Sequence, residues 1–223
     1  MKITVCEMHD ERDLFAEDWD KLCAHVRTEK SDLVLLPEMI FCTWFARTRS
    51  VNAAVWQAAV EEHDLWLPRL KELAPAVVLA SRPVNRDGQR FNAGFTWELG
   101  KGLIETHDKY YLPEEEGFWE ASWYKRGNGE FKPFRADGAL AGFLICTELW
   151  AMEQARAYGK SGAHLVVTPR ATGKTSVDKW LAGGRTAAVI GATLSLRSRI
   201  NCYGVIRKKM NGSSMLFWAV EQH

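Results

Sequence analysis

The chain has no cysteine pair in CxxC spacing, and its five thiols are scattered at Cys6, Cys23, Cys42, Cys146 and Cys202. That pattern argues against a zinc knuckle or a disulfide framework and leaves at least one thiol free. No apolar run approaches the roughly 18 residues of a membrane span. The opening Met1-Lys-Ile-Thr-Val-Cys-Glu7 carries charge too early for a signal peptide. An excess of one charge is missing as well, since 29 Lys and Arg stand against 28 Asp and Glu. Nothing in that balance pulls the chain toward nucleic acid or an anionic membrane. The expectation is a cytoplasmic protein whose partner is a small molecule. Dinucleotide and metalloprotease signatures are missing too, with no GxGxxG after a strand and no HExxH. Thr172-Gly-Lys-Thr175 has the ending of a phosphate loop, but Thr168 stands where the earlier glycine is needed.

Aromatic residues are plentiful, with ten Trp and ten Phe, enough to line a core, a pocket or a subunit interface. Apolar strands alternate with amphipathic helices along most of the chain. Ile3–Met8 and the uninterrupted Leu33–Leu36 read as strands, the second covered on both faces. Leu14, Trp19, Leu22 and Val26 recur at helical spacing between them. Asn52 to about Leu73 reads as a helix restarted near Pro68. Asn85-Arg-Asp-Gly88, Leu99-Gly-Lys-Gly102 and Asp137-Gly138 supply turns between strands. A helix is expected from about Glu148 to Tyr158 and another from Trp180 to about Ile190. The fold class is α/β, and residues 1–223 read as one domain.

Three segments bring charged or nucleophilic side chains to the ends of apolar strands. Gly142-Phe-Leu-Ile-Cys146-Thr-Glu-Leu-Trp150 delivers a thiol to a strand end with a helix directly after it. Ligand sites in α/β sheets lie at that edge. A helix N-terminus there would favour the thiolate, and the Thr147 backbone N–H could hold an oxyanion. Read alone, Cys146 also fits a small apolar residue closing a buried strand. Leu33-Val-Leu-Leu-Pro37-Glu38 offers a carboxylate able to accept the thiol proton, or a turn cap. Leu103-Ile-Glu-Thr-His-Asp-Lys109 offers an ammonium able to meet a developing alkoxide, or a solvated strand end.

Together, Leu-Leu-Pro-Glu38, Asp-Lys109 followed by Tyr-Leu-Pro113, and Ile-Cys146-Thr-Glu-Leu-Trp150 resemble the three signature segments of the nitrilase (carbon–nitrogen hydrolase) superfamily. Their order fits, with 71 residues from glutamate to lysine and 37 from lysine to cysteine. Gly162–Pro169 and Arg185–Ala192 extend the resemblance over nearly the whole chain. It implies an αββα sandwich, a Glu-Lys-Cys triad, and hydrolysis of small amides or N-carbamoyl compounds through a cysteine thioester. Cys146 is then the nucleophile, Glu38 the general base and Lys109 the stabiliser of the tetrahedral intermediate. Among Glu114, Glu115 and Glu116, the last fits best as a second glutamate. Trp44, Trp119, Trp150 and Arg170 are candidate pocket residues, Arg170 for a substrate carboxylate. The resemblance calls for no metal or organic cofactor and implies a homodimer or larger assembly. The sequence departs from the family pattern at Thr147 and Glu148, and beyond Gly212 it looks short at the C-terminus. Alternatives are a nitrilase, a cysteine-dependent acyl transferase, a Cys-His enzyme using His107 or His164, and a non-catalytic binding module.

Overall fold

The computed structural model describes residues 1–200 and the backbone of residues 204–209. Cys202 and the stretch from Gly212 to His223, where the family pattern was expected to break off, lie outside the described residues. Eleven strands and five helices are described. They are β1 (Lys2–Met8), α1 (Arg12–Glu29), β2 (Leu33–Glu38), α2 (Ala53–Trp66), β3 (Val77–Arg86), β4 (Gln89–Glu98), β5 (Gly102–Asp108) and α3 (Glu120–Trp123). There follow β6 (Phe134–Ala136), β7 (Ala139–Phe143), α4 (Met152–Lys160), β8 (Leu165–Thr168), α5 (Val177–Gly191), β9 (Leu194–Arg197), β10 (Arg199–Ile200) and β11 (Gly204–Lys209).

The strands form two sheets. One runs β10-β1-β2-β3-β4-β5 with β11 also pairing β1, and the other runs β6-β7-β8-β9. Period-two side-chain alternation explains how the first sheet carries two cores. Val34 and Leu36 of β2, with Val78 and Ala80 of β3, face α1 and α2. Leu33 and Leu35, with Val77 and Leu79, face the opposite way, toward Ala141, Phe143, Leu165 and Val167 of the second sheet. The second sheet is covered in turn by α4 and α5 through Ala155, Tyr158, Trp180 and Ala187. The result is a four-layer αββα arrangement, as the resemblance implied. Among the described residues no helix is long and apolar enough to cross a membrane.

Several boundaries differ from the sequence reading for local reasons. In α1 the buried stripe begins at Phe15, whereas Leu14 is largely exposed. The helix opening at Asn52 ends at Trp66 and continues as a 3-10 turn over Leu67–Leu73, with Pro68 in its first turn where a missing N–H costs nothing. The expected helix at Glu148 is divided: a 3-10 turn covers Cys146–Trp150 and α4 begins only at Met152.

α4 and α5 cross closely where Gly159 meets Gly191. A Cβ at Gly159 would overlap the backbone carbonyl of Gly191, an atom that cannot swing aside as a side chain can. Gly159→Ala is therefore expected to destabilise the fold by about 3 kcal/mol, read as a lowered urea midpoint, whereas Gly162→Ala, at a turn with open space, should cost only the strain of its positive φ.

Candidate active site

Three chain segments reach one buried point. β2 ends in Pro37-Glu38, and its pairing with β3 shifts register between Leu35 and Glu38, next to a proline that cannot donate to the ladder. Met39, directly after, has φ 47°, which turns the chain away and leaves the Glu38 carboxylate behind. β5 ends at Asp108, and the Lys109 N–H donates to the Asn92 carbonyl at 2.9 Å, which anchors the lysine beside β4. Cys146 follows β7, with its own N–H donating to the Pro169 carbonyl at 2.9 Å and φ at 49°. A non-glycine residue in that region stores about 1–3 kcal/mol and is held there only by its surroundings.

Lys109 has no exposed surface, and its Nζ donates to Glu38 Oε1 at 2.8 Å and to Glu120 Oε2 at 2.6 Å. Asn92 Nδ2 donates to the same Glu38 oxygen at 2.8 Å, and the Ala171 N–H donates to Glu38 Oε2 at 3.0 Å. Tyr124 OH donates to Glu120 Oε2, while Glu120 Oε1 is buried without a partner. Burial alone would lower the lysine's proton affinity, but the carboxylates of Glu120 and Glu38 outweigh it and hold the ammonium charged. Glu120 is pushed up to about 7, by burial first and then by the neighbouring Glu38, against the pull of Lys109. The Cys146 thiol feels Glu38, Lys109 and Glu120 together and is raised well above its ordinary value, by burial first and Glu38 second. The expectation that a helix N-terminus would favour the thiolate is thus corrected. The helix after Cys146 is a five-residue 3-10 turn, and desolvation with a nearby carboxylate decides the sign.

Glu148 ties two of these segments together. Its carboxylate is fully buried and accepts from His107 Nε2 at 2.8 Å, from the Tyr110 N–H at 2.7 Å and from the Ile145 N–H at 2.8 Å. It therefore clamps the lysine-bearing strand end to the cysteine-bearing turn. The Thr147 hydroxyl donates to the Tyr111 carbonyl at 2.9 Å, fixing the same turn from the other side. This geometry also answers the Cys-His alternative. His107 is committed to Glu148, and the exposed His164 accepts from the Leu140 N–H at the start of β7.

Not every candidate from the sequence reaches this point. Glu116 is exposed on its loop, and the second carboxylate beside the ammonium is Glu120, carried by α3. Trp44 lines a cavity of about 150 Å³ together with Asp10, Arg47, Phe118 and Ala171. Trp119 lies at the start of α3 with the Arg49 guanidinium over its ring, outside that lining. Trp150 is 45% exposed and packs against Trp180 on the α5 side, away from the cavity. Arg170 is buried with its guanidinium over Trp180 and Nη1 bonded to Thr172, its Nε has no partner, and it lies within the field of Cys146. Asn92, Glu120, Tyr124 and Glu148 were missed as site residues. Their signal was a polar side chain inside an apolar or aromatic run, as in Phe91-Asn-Ala-Gly-Phe95 and Phe118-Trp-Glu-Ala-Ser-Trp-Tyr124.

The raised Glu120 predicts a pH effect with a definite sign. Between about pH 4.5 and about pH 7 the folded chain holds a proton there that the unfolded chain has released. The stabilisation is whole below that window and gone above it. Wild-type melting temperature should therefore fall more steeply from about pH 5 to about pH 8 than that of Glu120→Gln; parallel slopes would contradict the assignment.

Known proteins share both sequence and fold with this chain. The carbon-nitrogen hydrolase family model matches residues 5–215. The N-carbamoylputrescine amidase of Arabidopsis thaliana is 33% identical over 165 residues, covering 73% of this chain and 55% of that protein. The citrullinase of Francisella tularensis is 23% identical over 143 residues, covering 63% and 50%. The chain thus spans about half the length of the curated relatives it matches. Among solved structures, a carbon-nitrogen hydrolase from Helicobacter pylori aligns with a TM-score of 0.77 at 18% identity, over 90% of this chain and 74% of that one. An amidase from Nesterenkonia sp. aligns with a TM-score of 0.69 at 20% identity, over 90% and 76%. These likenesses carry the fold, and the family model spans all three strand ends that meet at Lys109. The chain belongs to the carbon-nitrogen hydrolase family.

Proposed function

We propose that residues 1–223 form one carbon–nitrogen hydrolase domain that cleaves a small amide or N-carbamoyl compound through a Cys146 thioester. The observation that carries this reading is the fully buried Lys109 ammonium shared by Glu38 and Glu120 at 2.8 and 2.6 Å, with the Cys146 thiol inside the same field. The names of the Arabidopsis and Francisella relatives favour carbamoyl substrates, and that of the Nesterenkonia structure favours amides.

The resting thiol is neutral, so attack requires a base. Glu38 takes the Sγ proton as sulfur adds to the carbonyl carbon, and negative charge grows on the carbonyl oxygen. Lys109 and the Thr147 backbone N–H meet that charge. Glu120, with one carboxylate oxygen still unpartnered, holds the substrate's amide nitrogen in line. Glu38 returns its proton to the departing amine or ammonia, then draws a proton from water as hydroxide attacks the thioester. Product acid leaves and the thiol is restored. Each step uses groups already aligned, which spares the entropy of assembling them.

Ammonia release should be screened over aliphatic amides, ω-amides, N-carbamoyl compounds and nitriles. Cys146→Ala is expected to abolish release while keeping the fold. Glu38→Gln should remove both acylation and deacylation, and Lys109→Ala should lower kcat by roughly a thousandfold or more. Turnover retained in any of the three variants would overturn the role given to that residue.

A further inference from the structure

Resting on the amidase reading above, we propose that His107 is a positioning residue whose imidazolium form locks the lysine-bearing strand end to the cysteine-bearing turn, so that turnover follows its proton. His107 touches no reacting atom and acts only through Glu148.

The ring stands between two acceptors. Its Nε2 lies 2.8 Å from Glu148 Oε2, and its Nδ1 lies 3.4 Å from the Glu130 carbonyl oxygen. A neutral imidazole donates from one nitrogen only and would turn a lone pair toward one of these oxygens, whereas an imidazolium donates to both. Glu148 is arranged as a carboxylate. Its Oε2 also accepts from the Ile145 N–H and its Oε1 from the Tyr110 N–H, so both oxygens face donors. The two side chains are 2% and 0% exposed, which leaves the pair little screened by water. Other charged groups in this region are already engaged. Arg86 of β3 pairs with Asp108 and Glu105 of β5, Lys132 pairs with Glu130, and Lys109 is held by Glu38 and Glu120. Tyr158 of α4 donates its hydroxyl to the Phe143 carbonyl. The imidazole is thus the group left to balance Glu148. Burial alone would lower its proton affinity, but the charge and hydrogen bond of Glu148 outweigh it and hold the imidazole's pKa above the ordinary value.

Protons reach this buried ring through a polar cavity of about 140 Å³, whose lining includes His107, Asp108 and Asn128. That space is far above the roughly 15 Å³ one water needs. His107 therefore joins a water-sized space to the Glu148 carboxylate and, through it, to the backbone beside Lys109 and Cys146. When the proton leaves, the bond to Glu148 turns from charge-assisted to neutral, with about half the strength. The lock is whole below about pH 6.5 and is lost as pH rises through the raised value of His107. Loosening displaces the reacting groups from one another, so the loss falls on kcat and leaves KM nearly constant.

Wild type and His107→Gln should be compared in kcat and KM from about pH 6 to about pH 9. Glutamine can still donate to Glu148 but cannot titrate. Wild-type kcat should fall by about tenfold as His107 loses its proton. His107→Gln should stay near the lower value throughout and lack that step. Histidine NMR on the wild-type chain without substrate should place the His107 midpoint above the ordinary imidazole value and at the kcat step. On the same chain, hydrogen-exchange protection of the Ile145 and Tyr110 N–H groups should drop by about tenfold across that midpoint. The Leu144 N–H, bonded to the Val167 carbonyl instead, should keep its protection. The proposal fails if His107→Gln keeps the step, if KM carries the loss, if His107 titrates at or below the ordinary value, or if Ile145 and Tyr110 follow Leu144. Should His107→Gln not fold, NMR and exchange on wild type decide. If no amide is cleaved, the amidase reading falls by itself, and the lock stands or falls with the protection of Ile145 and Tyr110.

Discussion

A lysine ammonium without exposed surface, held between two carboxylates, constrains everything around it. Removing a lone ammonium from water costs several kcal/mol even after the protein relaxes. Glu38 and Glu120 offset that cost only because each is within 2.8 Å. The three groups are 71 and 11 residues apart in the chain, so their contact fixes how the end of β2, the end of β5 and α3 are placed against one another. The ion cluster is weak evidence for stability, because well-packed apolar side chains would fill the same volume at least as favourably. Its worth is positional.

Two left-handed residues mark where the backbone yields to that placement. Met39 follows Glu38 and Cys146 is the thiol itself, and both have φ near 50°. At each, the strand stops being a strand so that one side chain can be left at its end. The backbone is then caught by hydrogen bonds: the Cys146 N–H on Pro169, and the N–H groups of Ile145 and Tyr110 on Glu148. The Glu148 carboxylate thus spans both segments.

Much of this was legible before any coordinates. The alternation of apolar strands with helices gave an α/β domain, and the charged or thiol side chains at three strand ends gave separate candidates, because both follow from residue spacing within single elements. The four layers and the meeting of the three came from the family resemblance. What was illegible depends on contacts between elements. Glu116 fits best among Glu114, Glu115 and Glu116 by its distance along the chain from Lys109, whereas a short helix carries the later Glu120 inward. Arg170 and Trp150 followed motif strands closely in sequence, yet both turned toward Trp180, where an aromatic face gave the guanidinium and the indole a partner.

The sign of the thiol's shift links the cluster to the chemistry. Glu38 and Glu120 share one ammonium, and a further negative charge on sulfur would be opposed by both carboxylates. Cys146 therefore rests protonated, and Glu120 takes up a proton near neutrality. Desolvation and the neighbouring carboxylates thus oppose a stored thiolate, and Lys109 is the cation within its field. Under the function proposed above, the sulfur's charge would form only as it passes to a substrate's carbonyl oxygen, and the same desolvation that raises the thiol would keep it inert toward bulk solutes.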